Sequence, residues 1–216
     1  DGIRDVERSR GLGDVYKRQS LHKNWTVKAG VSRQCDSNFL ARYTYGNKNS
    51  GLKLAHWNKG SARLENRIDE LETIVAKHSP HVFGISEANF KKCHDIENIK
   101  IDDYRVFYSK TLQNTNINCS RIAVFVHSDV RHKIRLDLMD DEFSSIWMEV
   151  GLKNQKKILV CQAYHDWQYL DQHDDNSLHT RSQMHRWTLF LDQWEKALQE
   201  GKEVIVLGDL NINCTH

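Results

Sequence analysis

"KEVIVLGDLNINCTH", residues 202–216, contains four consecutive apolar residues, Val204, Ile205, Val206 and Leu207, that run into Gly208-Asp209-Leu210-Asn211. A short apolar run closed by Gly and Asp reads as a buried strand ending in a turn. Just upstream, residues 177–199 space Met184, Trp187, Leu191, Trp194 and Leu198 three and four apart, which predicts a helix with this stripe in the core. A long helix feeding a buried strand is the grammar of a layered α/β protein. The strand carries a carboxylate and an amide at its tip. Asp209 and Asn211 lie two positions apart, so both can point into one site.

The same grammar extends backwards through the chain. "LKLAHW" (52–57) alternates as a strand. Residues 62–78 place Leu64, Ile68, Leu71, Ile74 and Val75 on one helical face. Pro80, the single proline, marks where that helix must have ended. "HVFGISE" (81–87) is a short apolar strand closing on Glu87, and further strands are predicted at "YRVFYS", "RIAVFVH", "HKIRLDL", "SSIWMEVGL" and "KKILVCQAY". The order is strand, helix, strand, a meander of four or five strands, helix, strand. That is an α/β or α+β layered architecture.

Bulk properties narrow the class. The 216 residues are 39% apolar, with six Trp, seven Tyr and seven Phe, enough for one sizeable core. No run approaches the roughly 18–20 apolar residues of a membrane span, and the N-terminus is too charged for a secretory signal. The five cysteines never form a CxxC pair, which argues against a zinc module and a disulfide scaffold and suits a reducing, intracellular compartment. Cys161 and Cys214 beside strands read as small apolar fillers. The net charge of +2 is uneven: residues 1–19 carry +1 and 20–50 carry +4, leaving −3 for 51–216. Charge alone therefore does not point to nucleic acid. Residues 1–19, "DGIRDVERSRGLGDVYKRQ", show no usable periodicity and resemble the translation of a sequencing-library adaptor. Residues 20–50 are polar and basic (Lys23, Lys28, Arg33, Arg42) and read as a disordered arm or linker; the domain proper is 51–216.

Three strand ends carry polar residues: Asn58, Glu87, and Asp209 with Asn211. Taken singly, each has a plain explanation, since a Glu after a strand is usually a solvated cap and "GDLN" is a common turn. Taken together they are an N, an E about thirty residues on, and a D-x-N after a buried strand. In α/β sheets ligands gather at the carboxyl ends of strands. Few carboxylates plus neutral amides is the set that Mg²⁺ accepts beside water and phosphate oxygens. The His-Asp pairs at 94–95, 165–166 and 173–174 match no zinc spacing.

"LKLAHWNKGS", "PHVFGISEANF", "VCQAYHDW" and "VIVLGDLNIN" resemble, in order, signatures of the endonuclease/exonuclease/phosphatase superfamily. Their local flavour is similar to the endonuclease domain of non-LTR retrotransposons, and the resemblance runs from about Leu52 to Asn213. It implies a sandwich of two mixed β-sheets flanked by helices, like exonuclease III and DNase I, incomplete at the C-terminus. It further implies Glu87 as the principal Mg²⁺ ligand (Mn²⁺ an alternative) with Asn58 beside it. Tyr164 would approach the scissile phosphate, Asp209 would act on the attacking water or leaving group, and Asn211 would bind a phosphate oxygen. His165 and Asp166 would lie close enough to touch DNA. The implied function is a DNA endonuclease that nicks its target so that a fused reverse transcriptase can prime, acting in the nucleus with no membrane part. The alternatives are another phosphatase or phosphodiesterase of the superfamily, or an inactive nucleic-acid-binding relic. Two departures stand out. Gly60 occupies a position where repair enzymes carry an acidic metal-side residue. The C-terminal Ser-Asp-His of the family has no counterpart before His216, so the resemblance implies that this stretch is a fragment, inactive by itself.

Overall fold

A computed structural model describes residues 39–46, 50–60, 63–90, 99–108, 120–153, 156–165 and 178–211, all within the unit Gln34–His216. The strands are β1 (Phe39–Tyr45), β2 (Leu52–Asn58), β3 (Val82–Phe90), β4 (Tyr104–Tyr108), β5 (Ser120–His127), β6 (Arg131–Ile134), β7 (Ser144–Gly151), β8 (Ile158–Tyr164) and β9 (Val204–Asp209). The helices are α1 (Ile68–His78), led in by a 3-10 turn at Leu64–Arg67, and α2 (Leu178–Gln199). Among the described residues the strands form two mixed sheets, β1-β2-β3-β5-β4 and β6-β7-β8-β9. The parallel pairs are β2 with β3, joined through α1, and β8 with β9, joined through α2. The expected two-sheet sandwich is what the chain forms.

Alternation along the strands sorts side chains into layers. Leu54, Val82, Ile122, Val124, Ile146, Met148 and Val160 face inward and pack sheet against sheet. Ala55, Trp57, Phe83, Ile85 and Phe125 face outward and meet Leu64 and Leu71 beneath α1. Each fully buried Leu or Phe contributes roughly 1.5–3 kcal/mol. The chain leaves α1 at Ser79, whose left-handed backbone lets its N–H reach Val75 O at 2.8 Å before Pro80 bars any further turn.

Two sequence expectations change. Residues 39–45 fall inside the segment read as an arm, yet they form an edge strand paired with β2 from Phe39 opposite Asn58 to Tyr45 opposite Leu52. The aromatic and β-branched residues of "FLARYTY" suit a pleated surface, and Arg42 leaves the edge to meet His78. On α2 the buried line is Phe190, Gln193 and Ala197, while Met184 is 60% exposed. Gln193 draws that face inward because its Oε1 accepts from Ser145 Oγ at 2.7 Å and Trp147 Nε1 at 2.9 Å, and its amide donates to Asp140. Hydropathy spacing cannot anticipate a glutamine that is buried because it is bonded. Cys161 is buried, as expected of a filler.

Far from the strand tips, an ion-pair network ties α2's exit to the second sheet. Arg135 pairs with Asp137 and Glu200, and Lys202 with Glu149 and Glu200, with Lys157 closing on Glu149 at 2.8 Å. Arg135 holds Asp137 and Glu200, and Lys157 with Lys202 hold Glu149, each down at about 2. A depressed carboxylate contributes stability above its ordinary value and loses it as pH falls through the folded value. Thermal stability should therefore decline between the usual carboxylate range near 4 and pH about 2. Glu149→Gln should flatten that decline when melting is followed against pH; an unchanged slope would mean the network is solvated and idle.

Candidate active site

The carboxyl ends of β2, β3, β8 and β9 converge on one edge of the sandwich, and each delivers a residue. Asn58 ends β2, and its Nδ2 donates to Glu87 Oε1 at 3.3 Å and to Asp209 Oδ2 at 2.7 Å. One amide thus joins a carboxylate of the first sheet to one of the second. The other Asp209 oxygen accepts from the Asn211 backbone N–H at 3.0 Å. Tyr164 stands beside Asp209 in the β8–β9 register. The structure brings together Asn58, Glu87, Asp209, Asn211 and Tyr164 from positions more than a hundred residues apart.

Glu87 is not where simple alternation would put it. The β3–β5 ladder pairs Ser86 with Ile122 and then Phe90 with Ser120, so three residues of β3 face Arg121 alone. Within that bulge Glu87 and Asn89 take left-handed backbones, with φ of 59° and 52°. Non-glycine residues adopt that region at a cost, and such strain clusters at functional sites. Here it turns the Glu87 carboxylate off the sheet face toward Asn58 and Asp209.

Below the tips lies a buried polar link between the sheets. His56, Ser86 and Gln162 precede Asn58, Glu87 and Tyr164 by two, one and two residues, and all are buried. His56 Nε2 lies 3.0 Å from Ser86 Oγ, and Gln162 Nε2 donates to the same hydroxyl at 3.2 Å. Burial pulls His56 down to about 4 against the opposing field of Asp209, so its imidazole is neutral. Lys59 is also buried, donating from Nζ to Gly60 O at 3.1 Å. Burial, with Arg67 and Arg121 in support, lowers it to about 8 against the pull of Glu87.

Other predicted residues fare differently. The His165 ring is only 4% exposed, stacked on Phe143 and edge-on to Trp187 under α2. In that aromatic layer the imidazole packs on Phe143 and Trp187 and shows little surface. Its main chain serves instead: His165 N donates to Asp209 O at 3.0 Å, and its carbonyl accepts from Asn211 Nδ2 at 2.6 Å. Asp166 lies outside the described residues, as do the His-Asp pairs at 94–95 and 173–174. Arg121, Lys59 and the His56-Ser86-Gln162 link went unmarked in the sequence. The available signal was polar residues at inward positions of apolar strands, as in "VCQAY".

The donor set suits a hard cation. Two carboxylates, Glu87 and Asp209, face one another across Asn58, and no group of three or more His, Cys, Asp or Glu that could hold a metal occurs among the described residues. Such a sparse oxygen set fits Mg²⁺, which keeps waters and takes substrate phosphate oxygens, and does not fit zinc. As placed, Asn58 turns its NH₂ to the carboxylates while its Oδ1 accepts from Gly60 N at 2.9 Å. It braces the two carboxylates; to lend its oxygen to a cation, its amide must turn and release Gly60.

The pattern of the Endonuclease/Exonuclease/phosphatase family matches residues 44–216. No curated protein matches the chain by sequence. Among solved structures, the chain is similar to the 3′ phosphatase NExo from Neisseria, bound to a product DNA hairpin, at 12% identity and TM-score 0.51. That match covers 75% of this chain and 58% of that one. It is similar to the human Nocturnin catalytic domain, bound to sulfate, at 15% identity and TM-score 0.52, covering 81% and 69%. The endonuclease domain of TRAS1, a telomere-specific non-LTR retrotransposon, follows at 16% identity and TM-score 0.48, covering 74% and 61%. The chain therefore spans about three fifths of the length of the Neisseria structure. At such identities the likeness is one of fold.

Proposed function

The chain belongs to the endonuclease/exonuclease/phosphatase family, and from that premise we propose that it forms part of a Mg²⁺-dependent DNA endonuclease that nicks target DNA for a non-LTR retrotransposon. One observation carries the reading: Asn58 bonds carboxylates from both sheets, Glu87 in the β3 bulge and Asp209 at the tip of β9. The retrotransposon part rests on the local wording of "NKGS", "SEAN" and "AYHDWQ" alone; the choice of DNA as substrate is supported by a family fold that holds product DNA in the Neisseria enzyme. On this reading the protein works in the nucleus, beside a reverse transcriptase of the same polyprotein. No described helix is long and apolar enough to cross a membrane.

Glu87 would hold the cation, braced by Asn58. Bound there, a divalent cation would offset the negative charge that grows on the phosphate during in-line displacement. The chain's own groups do the rest. Asp209, held at both oxygens by Asn58 and the Asn211 N–H, is positioned to orient a water and accept its proton. Asn211 has one Nδ2 hydrogen on His165 O and carries a second for a phosphate oxygen. Tyr164 is buried in the core between the sheets with 5% of its surface exposed, and would bring its hydroxyl to the phosphate from the same edge.

The direct test is relaxation of supercoiled plasmid by the protein expressed from its native reading frame, with Mg²⁺ and with EDTA. Open circles only in Mg²⁺ are expected. Plasmid gel shifts without nicking would favour the inactive binding relic, for which Gly60, in place of a metal-side acid, is the supporting residue. Hydrolysis of phosphomonoesters with plasmid left intact would favour a phosphatase.

A further inference from the structure

The bulge that carries Glu87 faces a single residue across the ladder, Arg121. Arg121 does not pack away under α1 as its outward register would suggest. Its guanidinium carbon stands 5.3 Å from the centroid of the Tyr164 ring, and its Nη2 donates to the Tyr164 hydroxyl at 3.2 Å. A planar cation over the ring fixes the plane of the phenol, and a hydrogen bond to the oxygen fixes the direction in which the hydroxyl points. Tyr164 sits on β8 of the second sheet and Arg121 on β5 of the first, so the contact crosses the sandwich as the Asn58–Asp209 bond does. Of the two bridges, one sets the carboxylates and the other sets the hydroxyl.

We propose that Arg121 is the positioning residue for Tyr164: it holds the phenol hydroxyl at the scissile phosphate and acts on the reaction only through it. This rests on the nuclease reading of the site. Lysine could keep the charge and donors on one nitrogen but not the stacked, forked geometry, so the proposal also predicts how a conservative variant behaves.

The test is a double-mutant cycle on plasmid nicking with Arg121→Ala, Tyr164→Phe and the pair together, alongside Arg121→Lys. Removing an outer-shell partner of this kind lowers turnover by about ten- to a hundredfold. The expected result is that each single variant loses a similar factor in kcat with KM little changed, and that the double variant loses no more than Tyr164→Phe alone. Arg121→Lys should recover part of the loss. Binding of a short fluorescein-labelled DNA duplex in EDTA should be the same for all of them. Losses that multiply in the double variant would overturn the proposal, as would a loss of duplex binding on Arg121→Ala, since either would show Arg121 acting apart from Tyr164. If Arg121→Ala does not fold, Arg121→Gln takes its place in the cycle. Failure of the underlying reading looks different: no wild-type nicking in Mg²⁺ removes the nuclease assignment and this role with it.

Discussion

Glu87→Gln should lower Mg²⁺-dependent plasmid nicking by about a thousandfold, equivalent to about 4 kcal/mol of lost transition-state stabilisation. The substitution keeps shape and removes charge. Glutamine can still accept from Asn58 Nδ2, now 3.3 Å from the carboxylate, so the brace to Asp209 survives. The residue is only partly buried and lies in a bulge that already interrupts the ladder, so little packing depends on it. Removing one of two facing carboxylates also relieves their mutual repulsion. Melting temperature should therefore stay the same or rise slightly while activity falls. Calorimetric titration with Mn²⁺ should show the wild-type binding isotherm and none for the variant. Nicking that persists undiminished would remove Glu87 from the metal site.

This contrast, stability kept while chemistry is lost, also explains which parts of the molecule were legible from sequence. Strand tips are legible because buried strands advertise themselves as apolar runs and a polar residue at their end breaks the pattern: Asn58 and Asp209 stand at such ends, while Glu87, read as closing its strand, lies in a bulge and β3 runs on to Phe90. Helix α1 was legible because its stripe from Ile68 to Val75 follows one period, extended by Leu64 in the 3-10 turn before it. What was not legible depends on partners distant in sequence. The bulge at Glu87 exists only relative to β5. Arg121 reads as an ordinary strand-start charge until Tyr164, 43 residues on, is placed beneath it. Gln193 reads as the polar face of α2 until Ser145 and Trp147 arrive. The His165 ring looked available to DNA because the loop around it is polar, yet Phe143 and Trp187 enclose it. In each case a hydrogen bond or ring contact overrides the local pattern, and single-sequence periodicity has no access to either.

Gly208→Ala should cause the largest loss of stability of any single methyl group added near the site, about 4 kcal/mol when a strained positive φ and overpacking act together. Gly208 has φ of 143°, and a Cβ built there would lie 1.8 Å from Ala163 O and 2.8 Å from Ala163 C. Both are backbone atoms of β8, directly opposite in the parallel register, so no rotamer change can make room. The strands must separate at the residue that precedes Asp209, and this pulls Asp209 Oδ2 away from Asn58 Nδ2, now 2.7 Å apart. Gly201→Ala is the matched control: its φ is 65°, and nothing lies within 4 Å of the added methyl. That variant carries backbone strain alone, about 1 kcal/mol. Urea unfolding of both should show a midpoint far lower for Gly208→Ala at similar m-values, and its folded fraction should nick plasmid poorly even at low temperature. Equal midpoints would show that β8 and β9 part without cost, and the close backbone approach would then not be what fixes Asp209 against Asn58.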